Sequence, residues 1–206
     1  MAYSGQPFTG GTPALHWRIS GGWSSAPMTA LTSREYVASI PAQPFGEVVR
    51  YYVQAEDASG RNESHPYVGA ANPHSFTVTH LGTDVSGVSL AQGGTVGFQL
   101  NAGAANAGRS YFMLGSASGT SPGTNLPGGL VLPLNRDAFM GYVRSSVNTP
   151  AFAGFQGSLD AAGMASAQMD LGAALPSWHG ETLHLAFFCH PPFDFVSNAV
   201  SIEVLD

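Results

Sequence analysis

Five side chains of types that can do chemistry together fall on one short stretch: Glu56, Asp57, Glu63, His65 and His74. They sit at the end of a predicted strand and on the loop that follows it. Carboxylates and loop carbonyls at such a place could hold calcium, a hard ion that takes about six to eight oxygens. The dense D-x-D-x-D-G pattern of a calcium loop is absent. The simpler account is a turn in which Asp57 bonds its own backbone while His65 and His74 pin the loop. No cofactor is expected, calcium being the one ion this cluster could take.

Other patterns carry less. Gly119–Thr120–Ser121–Pro122–Gly123 matches the G-x-S-x-G form of a nucleophile elbow. That motif uses the backbone N–H after the serine, which Pro122 lacks, and no helical pattern follows it. His179 and His184 are five apart rather than the four of a zinc-binding helix, and a glycine lies between them. His184 and His190 could share one side of a strand, but Pro191 and Pro192 bend the chain at once. Trp23 follows Gly21–Gly22 and Trp178 lies near Pro176, positions where an indole could stack on a sugar or a partner surface. Turn tryptophans more often fold back over a core edge, because their burial removes much apolar area from water. Asn62–Glu63–Ser64 has the form of a glycosylation acceptor.

The composition narrows the function classes. Charged residues are 10% of the 206, against about 25% in ordinary globular domains. All seven basic residues are arginine, and the net charge of −6 argues against a nucleic-acid surface. Twenty-six glycines and fourteen prolines punctuate short apolar segments, which favours an all-β design, and 44% hydrophobic content excludes a disordered chain. Cys189, the single cysteine, lies in LHLAFFC and reads as a small buried apolar group. No apolar run reaches the length of a membrane span, and the first residues lack the pattern of a signal peptide.

The elements that must position these residues follow from periodicity. In EVVRYYVQAED (47–57), Val49, Tyr51, Val53 and Ala55 share one side and Arg50, Tyr52, Gln54 and Glu56 the other, the mark of a strand with one buried face. Around it come strands in ALHWRIS, APMTAL and REYVASI, a long loop over 61–73, and a last strand over 74–80 with Phe76 and Val78 inward. Residues 1–80 therefore read as a small β-sandwich and 81–206 as a second one, with the polar stretch 81–87 between them. The second contains TVGFQL, SYFMLGS (apolar on both sides, as a central strand is), LHLAFFC and VSIEVL. A helix is predicted over 135–147, capped by Asn135, with Asp137 complementing its positive end. Residues 160–163 read as the turn of a β-hairpin.

Two resemblances sharpen this. HWRISGGWSSAPMTAL, REYVASIPAQPFGEVVRYYVQAEDASGR and the downstream HPY and PHSFTV resemble the Ig-like or fibronectin-III-like modules that follow catalytic domains in secreted bacterial peptidases and deiminase-like enzymes. LNAGAANAGRSYFMLGSASGTSPG and FDFVSNAVSIEVL resemble a domain recurring at the C-termini of large secreted bacterial proteins. The implied fold is two Ig-like or fibronectin-III-like β-sandwiches in tandem. The implied role is a non-catalytic accessory, spacer or attachment region, cut from a longer secreted or cell-surface chain whose catalytic domain is the natural partner. The alternative is a module that binds polysaccharide or a surface partner through Trp23 and Trp178. The chain itself is not expected to be an enzyme.

Overall fold

The computed structural model describes residues 8, 13–89, 91, 93–170, 172 and 178–205. The fold is all-β with one short α-helix, as the periodicity predicts. The chain divides into two compact units, Met1–Val78 and Thr79–Asp206.

The first unit is built on the strand predicted at its centre. Its strands are β1 (Ala14–Arg18), β2 (Ser24–Pro27), β3 (Thr29–Ala30), β4 (Tyr36–Val37), β5 (Val48–Glu56), β6 (Asn62–His65) and β7 (His74–Thr77). Every pairing in it is antiparallel. β1 covers one edge of β5, with Ala14 opposite Gln54 and Arg18 opposite Arg50. β6 and β7 lie end to end along the other edge, pairing with Val53–Glu56 and Val48–Tyr51 respectively. β2 extends the sheet beyond β1, and β3 with β4 forms a separate ribbon.

Three expectations change here. The stretch 61–73 is not one loop, because the polar segment Asn62–His65 pairs as β6. Its hydrogen bonds to β5 outweigh its poor strand propensity. Phe76 is exposed rather than inward. And β5 is covered on both faces at its middle. Register places His16 directly opposite Tyr52, where the rings stack 4.6 Å apart, and the turn at Gly21–Gly22 returns Trp23 edge-on to Tyr52 at 4.8 Å. Arg18 then lies 4.5 Å over the Trp23 ring.

Among its described residues the second unit has two large sheets and a two-stranded ribbon. The strands are β8 (Leu81–Thr83), β9 (Gly87–Ser89), β10 (Thr95–Asn101), β11 (Ser110–Ser116), β12 (Thr124–Asn125), β13 (Val131–Leu132), β14 (Phe152–Ala153), β15 (Gln156–Ser158), β16 (Met164–Asp170), β17 (Thr182–Cys189), β18 (Phe195–Val196) and β19 (Val200–Leu205). One sheet runs β14-β16-β10-β8; the other runs β15-β11-β17-β19-β9, with β18 on β17; β12 with β13 forms the ribbon. Strictly alternating β10 sends Val96, Phe98 and Leu100 into a core shared with Met113, Leu185, Phe187 and Ile202 of the other sheet. Such interior side chains each stabilise the fold by about 1.5–3 kcal/mol relative to exposure.

The segment 160–163 is not a hairpin turn. β15 pairs with β11 and β16 with β10, so the turn carries the chain from one sheet to the other. The Asp160 carboxylate fixes it by accepting from the N–H groups of Ala162 and Met164. The stretch 81–87 is no simple linker either, since β8 begins at fully buried Leu81. The Asn198 amide bonds both the N–H and the C=O of Leu81 at 3.0 Å, standing in for a strand partner. β9 joins β19 in parallel, a pairing without a local sequence signal.

Burial against Tyr52 holds the His16 pKa below its ordinary value. The unfolded chain then takes up a proton that the folded chain resists, so stability rises with pH just below about 6.5 and falls on acidification. The melting transition of the first unit is expected at lower temperature near pH ~5.5 than near pH ~7.5. His16→Phe, which keeps the stack, should shrink that difference; an unchanged difference would mean His16 is not its source.

Candidate functional site

The five residues of the acidic and histidine stretch are spread along β5 rather than gathered. Glu56 is exposed at the strand end, while Asp57 is only 2% exposed. The Asp57 carboxylate accepts from the Ser59 N–H at 2.9 Å, from the Ser59 hydroxyl and from the Arg61 N–H, closing its own turn. Glu63 pairs with Arg61 at 2.7 Å. His65 and His74 meet where β6 ends and β7 begins, with ring centroids 4.9 Å apart. His74 lies opposite Tyr51, so it is roughly 17 Å along the strand from Glu56. Among the described residues, no three His, Cys, Asp or Glu side chains gather where they could hold a metal ion.

The remaining candidates also have places. Trp178 packs edge-on to Phe139, with ring centroids 4.9 Å apart, at the rim of the second core. Trp23 is half-buried on Tyr52 beneath Arg18. His184 bonds Ser201 at 2.9 Å, and His190 lies on the same side of the strand but about 20 Å further along. Ser121 is exposed in a loop that leads into β12, not into a helix. Asn135 pins that loop, accepting from the Gly123 N–H at 3.0 Å and donating to the Ser118 carbonyl at 2.8 Å. Cys189 is fully buried, and burial is the main cause that pushes its thiol pKa up.

With Asn135 occupied in the loop, the helix is capped by its neighbour. α1 (Ala138–Ser145) starts at Asp137, whose Oδ1 accepts from the Met140 N–H at 2.9 Å. Oδ2 takes four more donors: the Ser116 hydroxyl at 2.8 Å, the Ala117 N–H at 2.7 Å, and the Ser118 N–H and hydroxyl at 2.8 Å each. Burial alone raises the Asp137 pKa. The bonds from Met140, Ser118 and Ser116 outweigh burial and hold the carboxyl below its usual range. This one side chain therefore ties the start of α1 to the end of β11. Gly115 lets the two approach, since a Cβ there would meet the Phe139 ring at 2.5 Å.

The latch forms one wall of a cavity of about 620 Å³ on the outer side of the larger sheet, within the usual range for ligand sites. Its floor is Phe112 and Leu114 of β11 with Phe188 of β17; Phe112 and Phe188 are cross-strand partners. Met140, Gly141 and Arg144 of α1 form one side, and Thr124 and Leu126 the other. Phe193 and His190 close one end, their rings stacked 5.7 Å apart, with Phe193 also stacked 5.8 Å from Phe188. Arg109 holds that end in place by donating to the Pro192 carbonyl and pairing with Asp194 at 2.6 Å. Its Nε is buried without a hydrogen-bond partner, the one side-chain atom in that condition among the described residues.

None of Phe112, Phe188, Phe193, Arg136 or Arg144 stood out in the sequence. The available signal was the doublet Phe187–Phe188, which must put one ring on each face of its strand. No protein-family model matches the chain.

Asp137→Ala is expected to lower the stability of the second unit by about 2–4 kcal/mol, the sum of a lost cap and of buried donors left unpaired. The folded carboxyl is the more acidic one. Its contribution is therefore complete above about pH 4 and is lost as the pH falls through the depressed value. Denaturant titrations over that range should show the acid loss in the parent chain and not in Asp137→Asn.

Proposed function

We propose that the chain is a non-catalytic accessory region of a secreted or cell-surface bacterial protein, acting as spacer, stabiliser or attachment segment. In this reading both units are Ig-like or fibronectin-III-like modules, and the partner is the catalytic domain of a parent hydrolase or a surface component. The observation that carries it is the use to which the reactive side chains are put. Asp57 and Asp160 close turns, Asp137 caps and latches a helix, Glu63 and Asp194 pair with arginines, and Cys189 fills the core as a thiol. Each of these bonds stabilises the fold and occupies a side chain that general acid–base or covalent catalysis would need free. The Ser201–His184 pair lies on an exposed strand surface. The sequence resemblances point the same way.

The glycan-binding alternative is weakened where it relied on tryptophans. Trp178 packs edge-on to Phe139 at the core rim, and Trp23 lies between Tyr52 and Arg18.

Incubation of the full chain with ester, peptide and glycoside substrates is expected to give no turnover above background. A rate that persists through repurification would end the accessory reading. Retention on insoluble glycans, compared between the parent chain and Trp23→Ala or Trp178→Ala, should be absent in all three. Retention lost in either variant would instead favour the binding module.

A further inference from the structure

The cavity beside α1 has three properties that the fold does not require. The first is its lining. The floor, Phe112 and Leu114 beside Phe188, lies on the strand faces opposite Met113 and Phe187; Phe112 is partly buried, Leu114 and Phe188 are each 8% exposed, and all three line the cavity. The second is charge. The chain carries net −6, yet two of the three arginines in the second unit, Arg136 and Arg144, border this cavity, and both are exposed. The two ion pairs among the described residues involve Arg61 and Arg109 instead. Among the described residues the one carboxylate lining it, Asp137, is already engaged by five donors.

The third is Gly141. Glycine inside a helix costs about 1 kcal/mol relative to alanine. Neither strain nor crowding calls for it, because its backbone is not in the left-handed region and a Cβ would meet nothing within 4 Å. What a side chain there would do is enter the cavity it lines.

We propose that this cavity binds a small amphiphile: an apolar chain lying on Phe112, Leu114 and Phe188, with a single carboxylate held by Arg136. The Arg136 end suits the head group because the guanidinium also borders a smaller hollow there, with Gly123, Thr124 and Asn125, which leaves it room to reach a carboxylate. Arg144 lies in the last turn of α1, about 9 Å of helix rise beyond Ala138, and adds attraction at longer range. Occupancy of the cavity is independent of whether the chain is an accessory region, since either can hold without the other.

The test is calorimetric titration of the full chain with decanoate, decanol and decyltrimethylammonium, each below its micelle-forming concentration. Decanoate is expected to bind with a stoichiometry of about one, decanol more weakly and the cation not at all. Arg136→Gln should weaken decanoate about five- to tenfold and leave decanol unchanged, and Arg144→Gln should weaken decanoate less. Gly141→Leu fills the cavity while improving helix propensity, so it should abolish binding of both ligands with the melting temperature unchanged or raised. Three results would each overturn the proposal: no decanoate binding to the parent chain, decanol binding as tightly as decanoate, or full decanoate affinity in a folded Gly141→Leu.

Discussion

The second unit depends on where one carboxylate sits. A helix of eight residues is too short to hold together alone in water, so α1 exists only by being fastened to the sheet. Asp137 fastens it at the end where unsatisfied N–H groups concentrate. The same carboxylate gathers the N–H groups and hydroxyls that leave β11 at Ser116–Ser118. Phe139 and Val143 can then enter the core, Gly115 giving Phe139 the room it needs. Because successive helical residues point about 100° apart, the helix that buries Phe139 must turn Met140 and Gly141 elsewhere. They face the cavity. Core packing and cavity wall are thus two sides of one constraint.

The larger sheet explains why there is a cavity to wall. β11 and β17 pair through Met113 opposite Phe187 on the inner side and Phe112 opposite Phe188 on the outer. Central strands that are apolar on both faces need cover on both. The four-stranded sheet covers the inner face. Among the described residues the outer face is served by pieces: α1, the β12–β13 ribbon and the loop after Cys189. Pieces joined by turns do not close over a flat sheet as a second sheet does. Arg109 brings the Phe193 loop in from one end, and Gly128 allows the ribbon turn to abut it, its missing Cβ falling 2.7 Å from the Phe193 carbonyl oxygen. The space left between these supports is the cavity.

Much of the architecture was legible because burial leaves a period in the chain. The alternation in β5, β10 and β17, the two-faced apolar run in β11 and the helix near Phe139 and Val143 could all be read directly. What failed was whatever depends on a partner distant in sequence. β6 is polar, and only the edge of β5 makes it a strand. Tyr52 looked solvent-facing until register set His16 against it. Asn135 and Asp137 are both good caps by type. Asp137 took the role because Asn135 was claimed by Ser118 and Gly123 of a distant loop. Asp160–Gly163 has the chemistry of a tight turn, but turn chemistry does not say whether the flanking strands stay in one sheet. The cavity was the least legible feature of all. Its floor joins Phe112 to Phe188, residues whose proximity is created by strand pairing alone.

The exclusive use of arginine fits this picture. A guanidinium is planar, is weakly hydrated and offers several donors in fixed directions, so it can stack on a ring or bridge acceptors where an ammonium would remain solvated. Arg18 lies over Trp23, Arg61 pairs with Glu63, and Arg109 joins Asn106, Pro192 and Asp194 in a single fork. These are structural uses, and a chain with so few charges has little else with which to fasten its loops. Replacing Arg109 by lysine would keep the charge and lose the fork, leaving the Phe193 end of the cavity held by fewer bonds. Arg136 and Arg144 do not fasten anything comparable. Both are exposed, neither pairs with an acid among the described residues, and the apolar floor beside them lowers the local dielectric and lengthens the reach of their field.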